Sequence, residues 1–342
     1  MIHDLFARFD DLTIVSGDPD RSHAFTLTGL VHNEMHFLPV FLPHYRALGI
    51  DRFIFIDDRS DDGTTAFLAR QPDVVVLQSG WRYGHCLTLE EAERPEFAGF
   101  RMERIWRNLL LQKFCRGAWS LHLDADEFLD LPIGMLIPEL AARLEKSGNR
   151  SAWSVMLDMY PETVADLFAM SDDPVIDFDQ PWHFDGRPHL RLRGKKDPRV
   201  IYGGVRSRLM LGHGLNPKAN WFDRNIARRI GLAPKRYNNI RKPILLHWDE
   251  EAVLHSSHSV SLPASDKVLL PLRHYKFNGA IAQRIKWAIE SGSYGGASSE
   301  YFALEKLLTV MQQQDKGFGG PHTRRYLGFT DFTETDNALG FG

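Results

Sequence analysis

The chain has 342 residues, 43% of them hydrophobic and 25% charged, with a formal net charge of -3. That size and apolar share support one large α/β domain or two smaller ones, whereas the near-neutral charge offers no cationic surface for a phosphate backbone and excludes nucleic acid as an expected partner. The two cysteines, Cys86 and Cys115, are too few for a disulfide framework and lack metal-ligand spacing, which suits a reducing compartment.

Residues 1–11 lack the basic start and apolar stretch of a secretory signal, and no run approaches the roughly 18 apolar residues that span a bilayer. The expected location is therefore cytoplasmic, with membrane association confined to peripheral contact through a surface patch.

In chain order, Ala24 to Val31 predicts a strand and Phe37 to Leu48 a helix that stops at Gly49. Asp51 to Ile56 predicts a buried strand, Thr64 to Arg70 a helix, and Val74 to Leu77 a third strand. This βαβαβ alternation argues for a mostly parallel sheet flanked by helices, with ligands collected at the carboxyl ends of the strands. A long helix is expected within Glu90 to Cys115, a strand at Trp119 to Leu123, a helix at Pro138 to Lys146 and a strand at Ala152 to Met159. From Pro161 to Gly231 the pattern is irregular, as for long loops around a site. Tyr202 to Leu211 and Ile244 to Trp248 read as strands, Ala280 to Glu290 and Glu300 to Gln314 as helices. The expected division is a core at 1–160, a C-terminal part of the same catalytic domain at 161–316, and a loosely packed tail at 317–342.

Polar clusters fall at three predicted strand ends: Asn33 and Glu34, then Asp57 and Asp58, then Asp124 and Asp126 with Glu127 behind. If the strand at Trp119 persisted, Asp124 and Asp126 would share a face. Two such carboxylates call for a cation, and Mg²⁺ or Mn²⁺ with a phosphorylated substrate is the usual answer. A plainer reading of Asp57 to Asp62 is a turn capping the next helix, and Asn33 can be a helix cap. His255 and His258 lack a third ligand for a zinc set. The basic run Arg191, Arg193, Lys195, Lys196 and Arg199 is either a solvated loop face or an anion contact. Trp81, Tyr83, Trp182 and Trp221 could stack on sugars or fill cores.

The runs His32-Asn33-Glu34, Leu48-Gly49-Ile50, Asp57 to Thr64 and Leu123 to Leu129 resemble family 2-like bacterial glycosyltransferases of the GT-A fold. The resemblance extends from about Leu27 to Leu131 and continues faintly through Gly203 to Arg206 and His274 to Phe277. It implies a nucleotide-sugar donor, a UDP-sugar above all, and a saccharide or lipid-linked acceptor in surface or extracellular polysaccharide assembly. By similarity, Asn33, Glu34, Asp57 and Asp58 would hold the nucleoside, Asp124 and Asp126 a divalent metal, and His274 would close the metal or diphosphate site. The Gln-x-x-Arg-Trp run and the membrane helices of processive synthases are absent, which implies single additions.

The chemistry adds its own candidates. A departing nucleoside diphosphate needs cationic stabilisation, for which Arg82, Arg206, Arg208 and Lys276 are candidates. An inverting transfer needs a base for the acceptor hydroxyl, for which Asp158, Asp249 and His258 are candidates. The alternatives are a phosphatase or phosphotransferase using Asp124 as nucleophile, and a non-catalytic nucleotide- or sugar-binding module. No heptad run specifies an oligomeric state.

Overall fold

The computed structural model describes residues 2–186, 190–192, 200–215, 221–222, 226 and 239–333. Two compact units emerge, each assembled from separated segments. The first comprises Met1–Ala125, Met135–Ala152 and Pro243–Ser265, and the second Asp126–Gly134, Trp153–Lys242 and Asp266–Gly342. Both units draw on residues from either side of position 160.

In the first unit the strands run in the order Thr13–Ser16, Val74–Gln78, Arg52–Asp57, Thr26–Val31, Trp119–His122 and Arg241–His247. The centre is parallel, with Thr26–Val31 paired on one side with Arg52–Asp57 and on the other with Trp119–His122, and with Arg52–Asp57 paired to Val74–Gln78. The outer pairings are antiparallel. This is a mixed α/β, Rossmann-like arrangement whose parallel core agrees with the βαβαβ pattern.

The strand period of two decides which helix covers which face. Ile54 and Ile56 join Val75 and Leu77 in a core with Leu5, Phe6, Ile105, Trp106 and Leu109, from the helices Ile2–Arg8 and Met102–Phe114. Phe53 and Phe55 point the other way and stack on each other, with Phe41 of the helix Leu38–Ala47 6.3 Å from Phe55. That helix stops as expected: Gly49 has a φ of 97°, and Ile50 N–H reaches back to the Tyr45 carbonyl at 3.0 Å. Within Glu90 to Cys115 the long helix is shorter than expected, because Pro95 and Gly99 interrupt the chain before Met102–Phe114 begins.

Gly29 lies mid-strand for a local reason. A β-carbon there would meet the Leu123 carbonyl oxygen at 2.7 Å and Phe55 at 3.0 Å. Its absence lets the segment leading to Asp124 lie close on the strand, where Leu123 N–H bonds to the Thr28 carbonyl.

The second unit has its own strands and core. Glu127–Leu129 pairs antiparallel with Ala264–His274. Tyr160, Leu167, Val205, Met210, Phe277, Ile285, Leu304, Leu307 and Phe318 form one buried cluster. One expectation is corrected in this unit. Tyr202 to Leu211 is a helix at Gly204–Gly212, because Gly203 and Gly204 both take positive φ and break the strand Val200–Tyr202. The segment from residue 317 is anchored at points along a largely exposed course: Phe318 is fully buried, Thr323–Arg325 pairs with His183–Asp185, and Tyr326 N–H bonds to the Trp182 carbonyl. Arg208 anchors it by bonding Asp185 through Nε and Nη2 and the Phe318 carbonyl through Nη2. Among the described residues, no helix is long and apolar enough to cross a membrane.

Candidate functional site

In the first unit, two loops at strand ends are stitched together by side chains on backbone. Asn33 takes a φ of 56°, its backbone N–H donates to Ser60 Oγ, and its amide exchanges hydrogen bonds with Asp61. Glu34 N–H donates to Thr64 Oγ1, and Met35 N–H to Asp62 Oδ2. His32 Nδ1 lies 2.8 Å from the Asp58 carbonyl. The Asn33 side chain is therefore spent on holding the loop, which corrects its expected role as a nucleoside ligand. Asp61 and Asp62 are structural, as the helix-cap reading of that run anticipated.

Asp57 and Asp58 separate sharply. Asp57 accepts four hydrogen bonds, from the Ser60 backbone and hydroxyl, Thr65 Oγ1 and Gln78 Nε2, which occupy both of its oxygens. It is saturated and has no capacity for a ligand. Asp58 is 4% exposed, and neither oxygen accepts a well-aligned side-chain hydrogen bond. Its counter-ion is Arg82, whose Nε stands 3.0 Å from Oδ1 while the Arg82 side chain stays 43% exposed. Burial outweighs Arg82 and raises the Asp58 pKa above the ordinary carboxylate value. A desolvated carboxylate with spare acceptor capacity is what a donor-bearing ligand would satisfy.

Asp124 follows in the same unit, but the strand ends at His122, so alternation along a strand does not set its direction. It is 36% exposed, with Arg107 Nη2 3.5 Å from Oδ1.

In the second unit, Asp126 and His274 belong to a buried charge network. Asp158 accepts from Arg206 Nε at 2.7 Å and from His274 Nδ1 at 2.6 Å. Arg206 also binds Glu300. Asp126 Oδ2 accepts from Arg284 at 2.9 Å and faces His274 Nε2 at 3.6 Å. Burial would depress the His274 pKa, but Asp126 and then Asp158 overcome it and raise it to about 9. The same contacts overcome burial at Asp126 and Asp158 and hold both carboxyls below their ordinary range. Lys276 is buried, donates to Tyr301 Oη at 2.8 Å and lies 4.3 Å from its ring centroid. Burial lowers its pKa.

These positions reassign several expected roles. His274 has each nitrogen turned to a carboxylate, Nδ1 to Asp158 and Nε2 to Asp126, and in this arrangement it serves as their counter-ion. Asp158 is a weak base, doubly bonded and held ionised; it positions Arg206 and His274. Asp249 is bound by Arg150 and by Glu251 N–H, with its pKa lowered despite some burial, so it too is spent on structure. His258 sits half-buried at the tip of the hairpin Leu254–Ser256 and Ser259–Val260, its N–H on Ser256 Oγ. Arg208 serves Asp185 rather than a ligand. Trp182 is buried against Tyr275, whereas Trp221 is 71% exposed. Arg193, Lys195, Lys196 and Arg199 lie outside the described residues. Arg284 and Glu300 were not expected; on the helix pattern they read as ordinary exposed positions.

For a divalent cation the candidates are Asp124 and Asp126. Asp124 is half-exposed, and Asp126 accepts from Arg284 through Oδ2; carboxylate oxygens are the ligand type a hard cation takes. Among the described residues, no three His, Cys, Asp or Glu side chains form a ready metal cage.

No family model matches the chain, and no curated protein does. Among solved structures, a mycobacterial protein aligns at 18% identity over 50% of this chain with a TM-score of 0.25; this chain spans about half (49%) of that one. UDP-glucose pyrophosphorylase from Acinetobacter baumannii aligns at 10% identity over 84% of this chain and 100% of its own, with a TM-score of 0.31. A UTP-bound form of that enzyme aligns at 10% identity over 86% of this chain and 84% of its own, with a TM-score of 0.29.

Proposed function

We propose that this protein is a GT-A-type glycosyltransferase that moves a sugar from a nucleoside diphosphate donor, a UDP-sugar, to a hydroxyl of a saccharide or lipid-linked acceptor. The observation that carries the reading is Asp58. It is a buried, ion-paired carboxylate with acceptor capacity to spare, on a loop held by Asn33, Ser60 and Thr64. A uracil N–H or a ribose hydroxyl would add a donor to this carboxylate beside the Arg82 guanidinium.

In the transfer, the acceptor oxygen bonds to the anomeric carbon, the bond to the diphosphate breaks with its electron pair on the phosphate, and the hydroxyl proton leaves to a base. The ion pairs of Asp158 and Asp249 count against either as that base, and His258 is the remaining candidate. Asp124 and Asp126, one residue apart along the chain, would hold Mg²⁺ or Mn²⁺, which when bound supplies positive charge to the departing diphosphate. Within the second unit, Arg206, Lys276 and Arg284 are the side chains whose charge suits that diphosphate.

The test is sugar-nucleotide turnover. With Mn²⁺, a panel of UDP-sugars and mixed saccharide acceptors, release of UDP is expected from wild type, with a loss of at least about 100-fold in Asp126→Asn. Equal turnover in Asp126→Asn, or none with any UDP-sugar, would count against the reading.

A further inference from the structure

A cavity lies in the first unit, and its lining does not include Asp58. It measures about 90 Å³ and is lined by Glu103, Arg104 and Arg107 of one helix and by Leu254, His255, Ser256 and Ser257 of the hairpin. Asn108, fully buried, builds it. Its amide donates to the Leu254 carbonyl at 3.0 Å while its oxygen accepts from Leu254 N–H at 2.9 Å, which clamps the hairpin onto the helix Met102–Phe114.

The charges around this cavity centre on three arginines of one stretch of chain, Arg101, Arg104 and Arg107. Glu103 is shared between Arg107 at 3.3 Å and Arg101 at 3.7 Å. Arg107 Nη2 lies 3.5 Å from Asp124 Oδ1. Arg104 has no carboxylate within ion-pair distance among the described residues, and its Nε has no acceptor. Its guanidinium is fixed over the Phe100 ring at 4.0 Å, so the donor fork is oriented without an anion to receive it. Partial burial and the Arg104 charge lower the His255 pKa, leaving at neutral pH a neutral ring that can donate one N–H. Ser257 adds a hydroxyl.

We propose that this cavity is an oxyanion site that takes a carboxylate or a phosphate group through the Arg104 guanidinium, assisted by Arg107, His255 and Ser257. An oriented guanidinium recognises both anions by the same two-pronged geometry. This inference uses neither Asp58 nor the second unit, and it meets the transfer reading only at Arg107, which lies 3.5 Å from Asp124.

The test is calorimetric titration of the full chain, at low chloride, with inorganic phosphate and separately with glucuronate. Saturable binding of at least one is expected, weakened at least about tenfold by Arg104→Gln and by Ser257→Asp, and unchanged by Arg143→Gln on an exposed helix. Ser257 lies in a turn, so its variant decides the outcome if Arg104→Gln does not fold. Tighter phosphate points to a phosphorylated ligand, and tighter glucuronate to an acidic sugar. Unchanged UDP affinity in the same variants would keep this site distinct from the nucleotide site. Absence of saturable binding by either anion, or wild-type affinity in the folded variants, would overturn the proposal.

Discussion

Arg82 Nε stands 3.0 Å from Asp58 Oδ1, yet neither oxygen of Asp58 accepts a well-aligned side-chain hydrogen bond, while its neighbour Asp57 accepts four. Two adjacent carboxylates thus have opposite energetic roles. Asp57→Asn replaces an acceptor oxygen by an amide donor facing other donors and is expected to cost about 1–3 kcal/mol. Asp58→Asn removes a desolvated charge and is expected to leave stability within about 1 kcal/mol of wild type or to raise it. Chemical denaturation of the two variants checks the contrast, and equal losses would remove it.

The His274 pKa, raised to about 9, gives the second unit a pH signature. Because the folded value lies above the unfolded one, the stabilisation is complete below about pH 6.5 and is lost as pH rises through about 9. In a chelator, thermal unfolding followed from pH 6 to pH 10 is expected to show this decline, and His274→Gln to flatten it. A decline of the same size in the variant would assign it to other groups.

Lys242 and Glu127 form an ion pair with side chains 2% and 1% exposed. Removing one partner strands a buried charge, so Lys242→Met or Glu127→Leu alone is expected to cost about 3–5 kcal/mol, and the double variant much less than the sum. Denaturation midpoints of the four proteins measure the coupling. Additive losses would show that the pair does not act as a unit.

Phe318 is fully buried against Tyr160 and Phe277, with ring centroids 5.8 and 4.9 Å away. Phe318→Ala is expected to cost about 3–5 kcal/mol. A loss below about 1 kcal/mol would return the segment after residue 316 to the loose tail that its Gly and Thr content suggests.

The comparison of sequence and structure turns on how far apart the determining residues lie. The strands at Thr26, Arg52 and Val74 were legible because each is a short apolar run bounded by turn residues, and the alternation alone implies parallel pairing. The helix at Gly204–Gly212 was not, because Val205, Ser207, Leu209 and Leu211 alternate with period two and only the positive φ of Gly203 and Gly204 overrides that pattern. The polar clusters at the strand ends were legible as loops that follow those strands. The division of labour between Asp57 and Asp58 was not, since it depends on Gln78 and Arg82, more than twenty residues away. For the same reason Asp158 and Asp249 read as free carboxylates until Arg206, His274 and Arg150 were placed beside them.

The central claim is that Asp58 recognises the nucleoside of the donor, and calorimetric titration of UDP in Mn²⁺ into wild type and Asp58→Asn tests it most directly. Saturable binding to wild type, weakened at least about tenfold in Asp58→Asn with folding intact, is the predicted result. No binding to wild type, or the same affinity in the variant, would contradict it.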